Sequence, residues 1–343
     1  MSVRKTIRVL VVDDSAVFRQ LLTRGLAAAT GIEVVAVAAD PYEARDRILE
    51  HHPDVMVCDV HMPRMNGIEF LRKLLPQYPL PVIVMSAFSS AVFDAMNAGA
   101  VDFIPKPDAG LSRLEKFTEE LAEKIRIASM ARIVRPANPP ASEAMPNPAR
   151  ANPSRPEPKL IAVGASTGGT EAIYSLLRAL PNRVPGIVIV QHIPGKYSRM
   201  FAERLNQSLP LRVKEAQTGD RVESGTVLIA PGDRHMRVKR SGEGYTVECF
   251  PGEKVNRHCP SIDVLFESVA REAGNRSIGV ILTGMGYDGA RGLLAMRRKG
   301  ARTIGQDEES SVVYGMPKVA NELGAVEKQC SLYDMPRVIA GML

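Results

Sequence analysis

Ser166, His192 and Asp288 are the residues of this chain whose types and placement point to nucleophilic catalysis. Ser166 sits in Gly164-Ala165-Ser166-Thr167-Gly168, a G-x-S-x-G string directly after the apolar run LIAV. Flanking glycines permit a sharp strand-to-helix turn that exposes a serine hydroxyl. A hydroxyl needs a base to attack at neutral pH, and an imidazole base needs a carboxylate to set its tautomer and stabilise its cation. His192 closes the run GIVIVQH, and Asp288 lies in the glycine-rich TGMGYDGARG after SIGVIL. His235 in APGDRHM and His258 in NRHCP compete with His192 for the role of base. A glycine-serine turn can also cradle a phosphate at a helix N-terminus. The lysine of GxxxxGK[ST] is missing, however, and GASTGGTE matches GxGxxG poorly, so a serine nucleophile is the stronger expectation. The chain order Ser, His, Asp differs from the Ser, Asp, His of α/β-hydrolases, which argues for converged chemistry in another family.

A second constellation lies near the N-terminus. Asp13 and Asp14 close the run VLVV, Asp59 closes VMVC, Ser86 follows PVIVM and Lys106 follows DFIP. Ligands of open α/β sheets sit at the carboxyl ends of strands, so all five side chains should share one sheet edge. Three carboxylates there repel one another unless a hard divalent cation binds through oxygens, and Mg²⁺ is the natural candidate. Lys106 would pair with an added phosphate and Ser86 would hydrogen-bond to it.

These residues need parallel strands to hold them. From Arg8 to about Arg132, short apolar runs alternate with helical stretches such as Ser15 to Ala29, the pattern of a parallel sheet covered on both faces. Beyond the LIAV, GIVIV, TVLIA and SIGVIL runs, helical stretches at Thr170 to Leu180 and Ile262 to Ala273 predict a second α/β domain. YTVECF reads as a hairpin partner of MRVKR. The expected fold class is therefore α/β, with two doubly wound parallel-sheet domains, the second larger and carrying an antiparallel hairpin. Between them, Pro136, Pro139, Pro140, Pro146, Pro148, Pro153 and Pro156 stand among small and polar residues without apolar periodicity, as in a linker. The expected divisions are 1–133, linker 134–157 and 158–343.

Composition narrows the function classes. With 343 residues, 45% hydrophobic and 24% charged, the chain can bury substantial cores. The net charge of +6 comes from scattered Lys and Arg, with no recognition-helix or stacking pattern, so nucleic acid is not an expected partner. No apolar run reaches the roughly 20 residues that span a bilayer and the first residues lack a signal-peptide core, so no membrane insertion and a cytoplasmic location are expected. Cys58, Cys249, Cys259 and Cys330 lie too far apart in sequence for a zinc or redox motif.

The first 125 residues resemble the receiver domain of two-component response regulators, above all in the DxxMPxMNG pattern from Asp59 to Gly67. That resemblance implies a flavodoxin-like fold and phosphorylation of Asp59 by a histidine kinase. It also implies Mg²⁺ held by Asp13, Asp14, Asp59 and the main-chain carbonyl of His61, sensing by Lys106, and Ser86 and Phe103 as a switch pair. Across both domains the strings GASTGG, QHIP, APGDRHM, PSIDVLFESVA, GMGYDGARG and QDEESSVVYGMP resemble the CheB family of chemotaxis protein-glutamate methylesterases. The resemblance implies hydrolysis of glutamyl methyl esters on methylated chemoreceptors, often with glutamine deamidation, and no cofactor for the hydrolysis itself. It maps Ser166, His192 and Asp288 as the triad and the Met285 N–H as an oxyanion donor. Receiver-first order implies that the unphosphorylated receiver blocks Ser166. The alternative reading is a phosphorylation-controlled, non-catalytic receptor-binding adaptor.

Overall fold

The computed structural model describes residues 6–87, 90–107, 111–133, 159–181 and 183–343. The expected linker, 134–157, lies outside the described residues. The chain divides into two compact units, Met1–Arg135 and Pro136–Leu343, each described by itself below.

In the first unit strands and helices alternate: β1 (Ile7–Val12), α1 (Ala16–Ala27), β2 (Ile32–Ala38), α2 (Pro41–His51), β3 (Val55–Asp59), α3 (Gly67–Leu74), β4 (Val82–Ser86), α4 (Ser90–Asn97), β5 (Asp102–Pro105) and α5 (Leu111–Ala128). The strands form one parallel sheet of order β2-β1-β3-β4-β5. Every residue of β3 and β4 is buried, which explains why these runs are continuously apolar rather than alternating. Polar residues just beyond the strands start the helices. Ser15 accepts from the N–H of Phe18, Asp40 from those of Tyr42 and Glu43, and Asn66 from that of Glu69. The strand order reverses between β1 and β3, where such folds open a crevice at the carboxyl ends.

The second unit contains β6 (Leu160–Ala165), α6 (Gly169–Ala179), β7 (Gly186–Gln191), α7 (Gly195–Ser208), β8 (Arg212–Glu215), β9 (Thr226–Ile229), β10 (His235–Ser241), β11 (Gly244–Phe250), α8 (Ile262–Glu272), β12 (Ser277–Ile281), α9 (Ala290–Arg298), β13 (Arg302–Gln306), α10 (Met316–Glu322), β14 (Lys328–Cys330) and α11 (Met335–Ala340). Seven strands form a parallel sheet of order β14-β13-β12-β6-β7-β9-β8, and β10 and β11 pair antiparallel as the expected hairpin. β6, β7 and β12 are buried at every residue. Here the order reverses between β6 and β12. The edge strands β8 and β14 are short, polar and partly exposed, so no apolar run announces them.

Candidate active site

Strand register places Ser166 and His192 side by side. β6 and β7 pair up to Ala165 with Gln191, and the His192 N–H donates to Ala165 O at 3.1 Å. On the other side of Ser166, its N–H donates to Thr283 O at 3.0 Å, in the loop that leaves β12. Gly168, at φ 76, ends the turn in the left-handed region that favours glycine, and α6 starts immediately after it. The G-x-S-x-G string thus lies at the reversal of strand order, where the sheet opens.

Asp288 reaches the same place from the far end of the β12 loop. Its Oδ2 lies 2.9 Å from His192 Nε2. The carboxylate also covers the start of α8: Ile262 N–H donates to Oδ2 at 2.7 Å, and Ser261 Oγ and Asn256 Nδ2 each donate to Oδ1 at 2.8 Å. Burial pushes the Asp288 carboxyl up, but the donors from His192, Asn256 and Ile262 prevail and hold it down at about 2. An ionised Asp288 therefore accepts the proton on His192 Nε2. In the neutral ring this leaves Nδ1 as the basic nitrogen. That Nδ1 is buried and takes no hydrogen bond.

The two competing histidines occupy other roles. His235 is 2% exposed, accepts the Ser261 N–H at Nδ1 (3.2 Å) and bonds Glu253 O through Nε2 (2.9 Å). Both its nitrogens are spent on structure. His258 lies flat against His192, with ring centroids 3.7 Å apart and planes within 6°.

In the first unit the crevice between β1 and β3 holds the acidic group. Carboxylate oxygens of Asp13, Asp14 and Asp59 lie within 4.8 Å of one another, Asp13 and Asp59 buried and Asp14 exposed. Lys106 Nζ bridges Asp13 Oδ2 at 2.7 Å and Asp59 Oδ2 at 2.6 Å. Burial alone would lower the Lys106 pKa, but the hydrogen bonds to Asp13 and Asp59 outweigh it and raise it. Burial raises that of Asp13 against the pull of Lys106. Ser86, the last residue of β4, and Phe103, the second of β5, are both buried. The His61 side chain is exposed, while its N–H donates to Asp59 Oδ1 at 3.2 Å.

The family model described as CheB methylesterase matches residues 161–339, and that of the response regulator receiver domain matches residues 9–116. The chain belongs to the CheB methylesterase family. Its relatives include a protein-glutamate methylesterase/protein-glutamine glutaminase of Syntrophomonas wolfei, 58% identical over 96% of this chain and 95% of the relative. Another, of Escherichia coli K12, is 47% identical over 98% and 96%. The crystal structure of the Thermotoga maritima CheB methylesterase catalytic domain aligns with a TM-score of 0.53 at 34% identity, covering 55% of this chain and all of that one.

Several residues that build this candidate site escape a reading from motifs alone. Gln191 Nε2 donates to Ser166 O at 2.9 Å and to His192 O at 3.2 Å, tying the two strand ends together. Thr283 Oγ1 donates to Thr167 O at 3.0 Å, and the Thr283 N–H is held by Gln306 Oε1 at 2.8 Å. Gln306 opens QDEESSVVYGMP, so part of that string acts by bracing the loop beside Ser166. Asn256 and Ser261 are the other two: Asn256 stands two residues before His258, and Ser261 lies in PSIDVLFESVA, a string that by itself gives it no role. No helix of the described residues is long and apolar enough to cross a membrane.

Proposed function

We propose that this chain hydrolyses glutamyl methyl esters of chemoreceptors to glutamate and methanol, with Ser166 as nucleophile, His192 as base and Asp288 as its orienting carboxylate. The observation that carries the reading is the buried, unpartnered Nδ1 of His192, one strand position from Ser166, on a ring whose Nε2 is committed to Asp288. Nδ1 takes the Ser166 proton as the oxygen attacks the ester carbonyl, and the resulting imidazolium is stabilised by Asp288. The Met285 N–H, on the loop packed against Ser166, serves the oxyanion. Nδ1 then passes its proton to the leaving methoxide, so methanol departs. A water, deprotonated by the same nitrogen, releases the glutamate from the acyl-serine. A glutamine side chain, losing ammonia in place of methanol, would follow the same course. Met285 and Tyr287, beside Asp288 in the chain, are 38 and 49% exposed and offer apolar surface to the stem of a receptor side chain. Receptors of this kind place the enzyme in the cytoplasm.

On the same reading a chemotaxis-type histidine kinase phosphorylates Asp59. Asp13, Asp14 and Asp59, with the His61 carbonyl, would hold Mg²⁺, whose charge offsets that of the entering phosphoryl group. The phosphate brings roughly two negative charges. Lys106 then pairs with the phosphate rather than with two bare carboxylates, and Ser86 and Phe103 rearrange with it.

The deciding experiment is methanol release from a methylated chemoreceptor preparation by the wild type and Ser166→Ala. Loss on the order of a million-fold is expected if the three residues act as a unit. Retention of most of the activity would overturn the assignment of the nucleophile. A folded, phosphorylated wild type that releases nothing from several methylated receptors would favour the adaptor instead.

A further inference from the structure

The segment Val255–His258 turns back through two consecutive non-glycine residues in the left-handed region, Asn256 at φ 51 and Arg257 at φ 71. Val255 and His258 exchange both main-chain hydrogen bonds, at 3.0 and 2.9 Å, as in a two-residue reverse turn. Left-handed backbone crowds the Cβ of any residue that has one, and asparagine tolerates it better than arginine. Such strain persists where the surroundings require side chains to be aimed.

Both side chains that this turn presents to the interior touch the acid–base pair. Asn256 Nδ2 spends one N–H on Asp288 Oδ1 at 2.8 Å and the other on Asp263 Oδ2 at 2.7 Å, separating two buried carboxylates that would repel. His258 covers a face of the His192 ring at 3.7 Å. The hydrogen bond to Asp288 fixes one edge of that ring but leaves it free to tilt about the bond. A flat surface against its face removes that freedom.

We propose that the Val255–His258 turn is a positioning clamp for ester hydrolysis, His258 holding the His192 ring by its face and Asn256 holding Asp288, so that the ring keeps one orientation on the strand end beside Ser166. The proposal rests on the triad reading above. His258 acts through His192 and touches no reacting atom. Its own pKa is driven down to about 4 by burial and by the neighbouring charge of His192, with Lys254 and Arg257 adding to the effect and Asp288 opposing it. It is therefore neutral at working pH, and its ring face attracts the cation that forms on His192 during attack.

The test is steady-state methanol release by the full chain at about pH 5 to 9, for wild type, His258→Ala, His258→Phe, Asn256→Ala and, as reference, Ser166→Ala. His258→Ala should lose roughly 10- to 100-fold in kcat with KM within about twofold, because misorientation acts on the reacting geometry and not on substrate binding. Phenylalanine offers a flat face and cannot titrate. His258→Phe should therefore recover kcat to within roughly fivefold of wild type and keep its acid limb. Asn256→Ala should lower kcat and move the acid limb upward, as Asp288 loses a donor. Urea unfolding of each variant separates misfolding from misorientation, and the alanine-to-phenylalanine comparison is decisive as long as the phenylalanine variant folds. Wild-type kcat in His258→Ala, or a folded His258→Phe as slow as a folded His258→Ala, would overturn the clamp. An inactive Ser166→Ala alongside either result would leave the triad standing, whereas an active Ser166→Ala would remove the reading beneath both.

Discussion

Asp288 keeps its charge at 2% exposure because its surroundings were built for an anion. It has the side-chain donors of His192, Asn256 and Ser261 and the N–H groups that open α8, where the helix dipole also favours negative charge. With a folded pKa of about 2, below the roughly 3.9 of an unfolded aspartate, the group stabilises the fold above about pH 4. That contribution, roughly 2–3 kcal/mol, is lost as pH falls through the folded value. The stability gap between wild type and Asp288→Asn in urea unfolding should therefore narrow as pH drops from about 5 towards 2. At neutral pH the same variant should lose about 10⁴-fold in kcat, because an amide at this position can favour the wrong tautomer of His192. A gap independent of pH would mean that Asp288 is not held ionised.

At the scale of elements, the site depends on how closely the β12 loop packs against the turn after β6. A Cβ on Gly284 would lie 2.7 Å from Ser166 Cβ and 2.6 Å from Met316 Sδ. The methionine end can move, but Ser166 is tied through its N–H to Thr283 and through its carbonyl to Gly169 and Gln191. Gly284→Ala should thus cost about 1–3 kcal/mol of stability and on the order of 100-fold in kcat, with the two losses read separately by urea unfolding and methanol release. An unchanged kcat would show that the serine can shift without consequence. G-x-S-x-G was legible because a strand-to-helix turn is local in sequence. The braces behind it were not, because Gln306 and Thr283 meet only once β13 lies beside β12.

For the whole molecule, the proposed function assigns regulation to the first unit and chemistry to the second. If Asp13, Asp14 and Asp59 hold Mg²⁺, a chelator or Asp59→Asn should abolish stimulation by a small-molecule phosphodonor and leave the basal, Ser166-dependent release in place. Loss of basal release on chelation would assign the metal to the hydrolysis instead. A chain beginning near Pro158 should show higher basal activity than the full chain if the receiver blocks Ser166, and lower activity if phosphorylation activates directly.

The central strands, the α/β class and the residues at those strands' ends were readable in the chain, because buried parallel strands are continuous apolar runs and the residues that follow them project at the sheet edge. Among the histidines the sequence favoured His192 as base and left His235 and His258 as competitors. Tertiary structure separated them: His235 has both nitrogens bound, His258 is stacked, and His192 alone of the three is hydrogen-bonded to Asp288. The proposed base nitrogen and the residues proposed to steady it rest on contacts between positions up to 96 apart in the chain, and no local pattern encodes these.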